Sequence, residues 1–417
     1  NEYLSLLQKK ELLIKEIKKE LLEVKENFAD ERRTIIGSET ADIEEEDLVE
    51  SEDMVITVTH RGYIKRVPLK TYRAQKRGGK GRKAMATREE DFVNQVFIAN
   101  TKSSVLFFSS KGKVYQMKVF KLPEFAPNAR GKPMIGIFPL SKDENITAVL
   151  PLPNDKNTWE KLNIMFSTAK GSVRRNALSD FIKIQSSGKI AMKLSDDDKL
   201  IGVHTCSEKE DDVFLSSKEG KCLRFPIENV RKFSGRNSVG VRGIRLSKDD
   251  SVISMYILKH AKFSMDERNN YLKIANAIRR KELRRSMPYS KLSKDIKLDE
   301  DKFIEMEKME EFILSVADNG YGKRSSAYEY RITSRGGKGI ANMTVSKKTG
   351  KVVSSFPVNE KDDVMLIAGT GKLIRSPVNK IRIAGRTTQG VTLFKVESNE
   401  KVLSAASIKD LNIESEE

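Results

Sequence analysis

Near the start of the chain the apolar positions recur at helical spacing. Leu4, Leu7, Leu12, Ile14, Ile17, Leu21, Leu22 and Val24 gather toward one face while Lys and Glu fill the other, which predicts an amphipathic helix. From Glu39 to Asp53 that pattern stops. Asp42, Glu44, Glu45, Glu46, Asp47, Glu50 and Glu52 stand there without a base, as expected of a solvated linker at a domain boundary. Beyond Met54 short apolar stretches alternate with glycine turns. ITVTHRGYIKRV, VLFFSSKGKVYQM, IMFSTAKGSVRRN, VFLSSKEGKCLRF, FILSVADNGYGKRSS and VMLIAGTGKLIRS each read as strand, polar turn, strand, the pattern of a β-hairpin.

These hairpins are in register. Their turn glycines are Gly62, Gly112, Gly171, Gly220, Gly320 and Gly371, and four positions on stand Arg66, Gln116, Arg175, Arg224, Arg324 and Arg375. A second glycine loop follows each hairpin, at Gly81, Gly131, Gly188, Gly240, Gly339 and Gly390. Six units of about 50 residues, each a sheet of roughly four strands, have the size of propeller blades. Sheets that bury their faces against one another explain how a chain with only 38% hydrophobic residues still forms a core. Between Gly220 and Gly320 the period doubles, and the surplus from about Lys259 to Glu311 contains YLKIANAIRRKELRR and DKFIEMEKMEEF, both helical in pattern. It is expected to be a helical insertion hanging off the array. The expected organisation is therefore mainly β: residues 1–38 helix and exit segment, 39–53 acidic linker, 54–411 six-bladed disc with an insertion at 259–311, and 412–417 a short acidic tail.

Charge adds a partner. Lys and Arg total 77 against 59 acids, a formal net charge of +18, which favours a polyanion. From Arg61 to Arg88 there are eleven bases and no acid. Their centre is Gln75-Lys76-Arg77-Gly78-Gly79-Lys80-Gly81, continued by Arg82 and Lys83. Glycines let a backbone approach phosphate closely, and consecutive amides form an anion-binding concavity. Lys76, Arg77 and Lys80 would hold successive phosphates and Gln75 would add a neutral hydrogen bond. A lone basic glycine loop is usually a solvated turn. Here matching loops bring Arg130 and Lys132, Arg236, Arg335 and Lys338, and Arg386, so bases should recur around one rim together with Arg66, Arg175, Arg224 and Arg375. A basic path around a disc is what bending duplex DNA requires, because backbone contacts must be renewed along the curve.

Other chemistry recedes. Gly369-Thr370-Gly371-Lys372 lacks the Ser or Thr of a phosphate-binding loop, since Leu373 follows. His60, His204 and His260 form no ligand-spaced cluster, so no metal site is expected, nor any catalytic residue. Cys206 and Cys222 alone suit a reduced cytoplasm. No apolar run approaches a membrane span, and a start at Asn1 inside a helical pattern suggests a piece of a longer protein.

QKRGGKG resembles the seven-residue box QRRGGKG of bacterial DNA gyrase A subunits, with Lys76 replacing an arginine fork by a point charge. EDMVITVTHRGYIKRVPLKTYRAQKRGGKG is similar to that family's first blade, ADNGYGKRSSAYEY to its fifth and IRIAGRTTQGVTLFKV to its last, while ADERRTIIGSETADI resembles the end of its cleavage domain. The resemblance implies a six-bladed β-pinwheel, with strands exchanged between neighbouring blades and an N-terminal helix. It implies positive wrapping of double-stranded DNA around the rim, so that the bacterial cytoplasmic holoenzyme introduces negative supercoils. It further implies that this segment carries no cofactor and that ATP and Mg act elsewhere. The partners would be DNA, the gyrase B subunit in an A2B2 heterotetramer, and the remainder of the A subunit. The rivals are the topoisomerase IV counterpart, which as a rule has fewer blades and a degenerate box, and a propeller that binds protein.

Overall fold

The computed structural model describes residues 8–30, 45–71, 91, 93–153, 158–182, 184–185, 187–280, 287, 289–293, 296–368, 373–396 and 400–408. They fall into two units, Asn1–Leu48 and Val49–Glu417. In the first, Lys10–Phe28 is a helix whose side chains are all outside any core. Leu12, Ile14, Ile17, Leu21, Leu22, Val24 and Phe28 stand exposed, with Leu21 at 64%.

The second unit is a ring of six small antiparallel sheets. Each is built on one of the expected hairpins, such as Asp53–Thr59 with Tyr63–Pro68 and Phe312–Ala317 with Tyr321–Ser326. On one side of each hairpin lies a longer strand from the same unit: Val93–Asn100, Ile146–Pro151, Leu200–Cys206, Val252–Lys259, Val352–Val358 or Val402–Ile408. From the second to the last unit these strands pack on one another in succession, and Val402–Ile408 then packs on Val93–Asn100, so the last unit meets the first. On the opposite, outer edge of five hairpins lies a two-residue strand donated by the next unit. Lys132–Pro133 pairs with the first hairpin, Lys189–Ile190 with the second, Val241–Arg242 with the third, Ile340–Ala341 with the fourth and Val391–Thr392 with the fifth. The sixth sheet has three strands among the described residues. Neighbouring blades are thus stitched at their outer edges, as the pinwheel resemblance implies.

The donated strands explain the second glycine series. Gly131, Gly240, Gly339 and Gly390 all have φ between +73° and +83°, the left-handed region that costs an L side chain roughly 1–2 kcal/mol. A Cβ on Gly339 would also lie 2.5 Å from the carbonyl oxygen of Cys222 on the edge it crosses. Gly339→Ala is therefore expected to lower the unfolding free energy by at least about 2 kcal/mol. Denaturant titration checks this, and an unmoved midpoint would mean that the loop can leave the edge without cost.

The core is shared between adjacent blades. Ile56 and Ile64 pack with Val105, Phe107 and Tyr115 across the first junction, and Phe108 with Phe166 and Phe181 across the second. Hairpin turns are pinned by carboxylates that precede the inner strands. Asp91 accepts from the Arg61 amide at 3.0 Å, Asp198 from Lys170 at 2.9 Å and Asp250 from Glu219 at 3.0 Å.

The insertion is helical, as expected, and rather than merely hanging off the array it packs on the fifth unit. It forms helices Met265–Arg279, Tyr289–Leu292 and Glu300–Met309, the first opened by a reciprocal Ser264–Glu267 capping box. Tyr271, Ile274, Phe303 and Met306 build a small core that closes over Tyr328 of the fifth unit. The Tyr328 hydroxyl donates to the Met306 carbonyl at 2.9 Å. A highly charged sequence hides this docking because only one stripe of each helix is needed to make it.

Candidate nucleic-acid interface

The register of arginines four positions after each turn glycine has a different cause from the one expected. Arg175 and Arg224 are not rim groups, and Arg66 is largely withdrawn. The Arg224 side chain is 1% exposed. Its Nε donates to Asp212 at 2.8 Å, Nη1 to the Ala327 carbonyl at 2.8 Å and Nη2 to the Lys259 carbonyl at 2.7 Å. Arg66 Nε donates to the Leu122 carbonyl at 2.7 Å and pairs with Glu124 at 3.0 Å, while Arg324 Nε donates to the Ile381 carbonyl at 2.8 Å. Arg175 pairs with Glu208 at 3.2 Å. Even Gln116 serves similarly, accepting from the Ile184 amide of the next unit at 3.2 Å. The position faces the short helical turn of the following blade, where carbonyls need donors, and a guanidinium supplies several in one plane. Arg66, Gln116, Arg224 and Arg324 thereby fasten blade to blade, whereas Arg175 pairs with Glu208 just beyond the last strand of its own unit. Arg375 is exposed but engaged by Asp363, with Nε–Oδ2 at 2.7 Å.

Among the described residues, five glycine loops lie outside the sheets, because each leads into a donated edge strand. Each loop arginine reaches back to the preceding unit. The Arg130 guanidinium lies 3.8 Å from the centre of the Tyr63 ring, within cation–π range. Arg236 Nη1 donates to the Asp180 carbonyl at 3.3 Å. Arg335 donates to the carbonyls of Asn229 at 2.8 Å and Arg242 at 3.1 Å, and Arg386 to that of Ala341 at 2.8 Å. Lys132, Lys338, Arg231, Lys232, Arg242, Arg331 and Arg382 stand exposed beside them. Gln75, Lys76, Arg77, Gly78, Gly79, Lys80, Gly81, Arg82 and Lys83 lie outside the described residues.

Three further basic groups have a place that their sequence positions do not reveal. Lys65, Arg174 and Lys323, three positions after their turn glycines, have no exposed surface. Lys65 Nζ donates to the carbonyls of Ala126 at 3.3 Å, Ala129 at 3.0 Å and Pro127. Arg174 Nη1 donates to those of Ala191 at 3.4 Å, Ser238 at 3.0 Å and Arg236. Lys323 Nζ donates to Gly385 O at 2.7 Å and Ser325 Oγ at 3.2 Å. Burial draws Lys65 down to about 8, Lys323 to about 7 and Arg174 to about 10. The same burial raises the thiols of Cys206, to about 12, and Cys222, which are inert core groups. Among the described residues no helix is long and apolar enough to cross a membrane, and no group of three or more His, Cys, Asp or Glu is placed to hold a metal ion.

Known proteins share this arrangement unit by unit. The family model for the DNA gyrase C-terminal domain, a β-propeller, matches residues 53–100, 103–153, 162–207, 211–259, 311–359 and 362–409. The chain is 50% identical over 416 residues to the A subunit of DNA gyrase from Rickettsia bellii, covering 100% of this chain and 46% of that protein. It thus spans about half the length of the curated relatives it matches. Among solved structures, the C-terminal domain of DNA topoisomerase IV superposes with a TM-score of 0.65 at 22% identity, over 87% of this chain and 95% of that one. A DNA gyrase A C-terminal domain superposes with a TM-score of 0.57 at 21% identity, over 86% of this chain and 100% of that one. Those two likenesses establish the fold, and with six matched units and a relative that aligns with all of it, the chain belongs to the DNA gyrase C-terminal domain family.

Proposed function

We propose that this chain wraps duplex DNA around its outer rim with positive handedness, so that the whole enzyme introduces negative supercoils with ATP. The observation that carries the reading is the succession of basic loops on the outer edges, each fixed to the blade before it through Arg130, Arg236, Arg335 or Arg386. Loops held to successive blades keep their cations at set spacings, and phosphate contacts at set spacings bend a duplex rather than merely attract it. Contacts to phosphates carry little base information, so sequence preference should be slight. Within the same reading the bare apolar stripe of Lys10–Phe28 is covered by the remainder of the A subunit. The B subunit, ATP and Mg belong to other parts of an A2B2 assembly in the bacterial cytoplasm.

The test is topological. The protein is bound to relaxed circular DNA, a nicking-closing enzyme is added, and the linking number is read. A positive shift that grows with bound protein is the expected result. Binding without a shift would sink wrapping and leave a DNA-holding role such as that of a topoisomerase IV C-terminal domain, to which the fold is also similar.

A further inference from the structure

The three buried cations occur in the first, third and fifth units only. The equivalent positions of the second and fourth units are Tyr115 and Leu223, and that of the sixth is Ile374. Each cation lies beneath the basic loop of the following blade: Lys65 under 126–130, Arg174 under 234–240 and Lys323 under 384–390. Under the loop of the fifth unit the arrangement differs. There Leu223, with Arg224, Thr333, Gly337 and Lys338, borders a cavity of about 220 Å³, and the loop supplies its own exposed cation in Lys338.

A buried ammonium or guanidinium among carbonyls has two effects on the loop above it. It fixes the backbone by several charge-assisted bonds. It also draws the negative ends of the peptide dipoles inward, leaving the outside more positive. Arg174 has capacity beyond this, since its Nε and Nη2 are buried without a hydrogen-bond partner.

We propose that Lys65, Arg174 and Lys323 are positioning residues for three phosphate seats, on the loops of the second, fourth and sixth units, set two blades apart around the rim. The seats are completed by the loop arginines Arg130, Arg236 and Arg386. The ligand is the phosphate backbone of duplex DNA, so the inference rests on the DNA-binding reading above. It goes further in setting the loops of the second, fourth and sixth units, each held from below by a buried cation, apart from the loop of the fifth, which presents the exposed side chain of Lys338.

The experiment uses the whole chain and a short straight duplex, too short to wrap, with affinity read by fluorescence anisotropy. Lys65→Met, Arg174→Met and Lys323→Met are each expected to weaken binding about threefold, and the triple variant more than about tenfold. Lys323→Arg is expected to retain affinity, because the third unit already uses arginine there. A folded triple methionine variant with wild-type affinity would overturn the proposal.

A pH series on the wild type and Lys323→Arg keeps the test decisive if the methionine variants do not fold. Glu329, Cys222 and Arg386 face Lys323, and its ammonium discharges as pH rises through about 7. Duplex affinity should then fall with rising pH in the wild type and less in Lys323→Arg. Stability runs the other way: with a folded value near 7 and an ordinary value of 10.5, the unfolded chain binds more protons between them, so stability increases over that window. A purely structural role predicts affinity that follows stability upward, and that outcome would also overturn the proposal. Failure of wrapping is distinguished because it leaves short-duplex binding intact while abolishing the linking-number shift. If the wild type does not bind the duplex, both readings fall.

Discussion

Replacement of Lys76, Arg77 and Lys80 by alanine is expected to abolish negative supercoiling by the complete enzyme while DNA cleavage and relaxation persist. The three cations lie within an eleven-base stretch that contains no acid. Removing one phosphate contact lowers the slope of log affinity against log salt by about one, so a decrease of up to about three is expected in the isolated chain. The effect on supercoiling should be far larger than the effect on affinity. Wrapping needs an uninterrupted series of contacts, and a gap in the series releases the strain of the curve at that point. Gel assays of supercoiling and relaxation, run beside the salt series, separate the two. Supercoiling at the wild-type rate would remove the box from the mechanism.

The second large effect lies inside the disc. Asp212→Ala is expected to destabilise the ring by about 3–5 kcal/mol, because it leaves the Arg224 guanidinium buried without its counter-charge. The Asp212 side chain is 0% exposed, receives Arg224 Nε at 2.8 Å and faces His260 Nδ1 at 2.7 Å. One carboxylate therefore ties the fourth hairpin to the root of the insertion, while Arg224 extends the tie to the fifth blade through Ala327. Replacing the pair together, as Asp212→Leu with Arg224→Met, should cost less than Asp212→Ala alone, since no uncompensated charge remains. Denaturant midpoints of the variants check the order. If the double variant is the less stable one, the carbonyl bonds of Arg224 matter more than its charge pairing.

Much of this molecule is legible without coordinates. The glycine series report two backbone requirements, a tight hairpin turn and a left-handed crossing of a neighbour's edge. Such requirements recur at fixed spacing whatever the side chains around them do. The six units and the place where the helical insertion interrupts them were accessible in that way.

Other features were decided only by the tertiary structure. A residue four positions after a turn glycine occupies the same place in every blade, but its periodicity does not reveal what it faces. Arg66, Arg175 and Arg224 looked like rim cations until the fold set carbonyls and carboxylates against them, for Arg66 and Arg224 from the following blade. Lys65, Arg174 and Lys323 were invisible for the opposite reason. A lysine is expected at the surface, and only the loop of the next unit folding over it makes a buried site with carbonyl partners. The insertion reads as helices hanging off the array until Tyr328 of the fifth unit completes its core. Sequence by itself determined the repeat, the turns and the amount of positive charge, because these follow from backbone conformation and composition. Which cations stay exposed on the outer edges and which hold the blades together was decided by strand exchange, because a side chain's role depends on the neighbour packed against it.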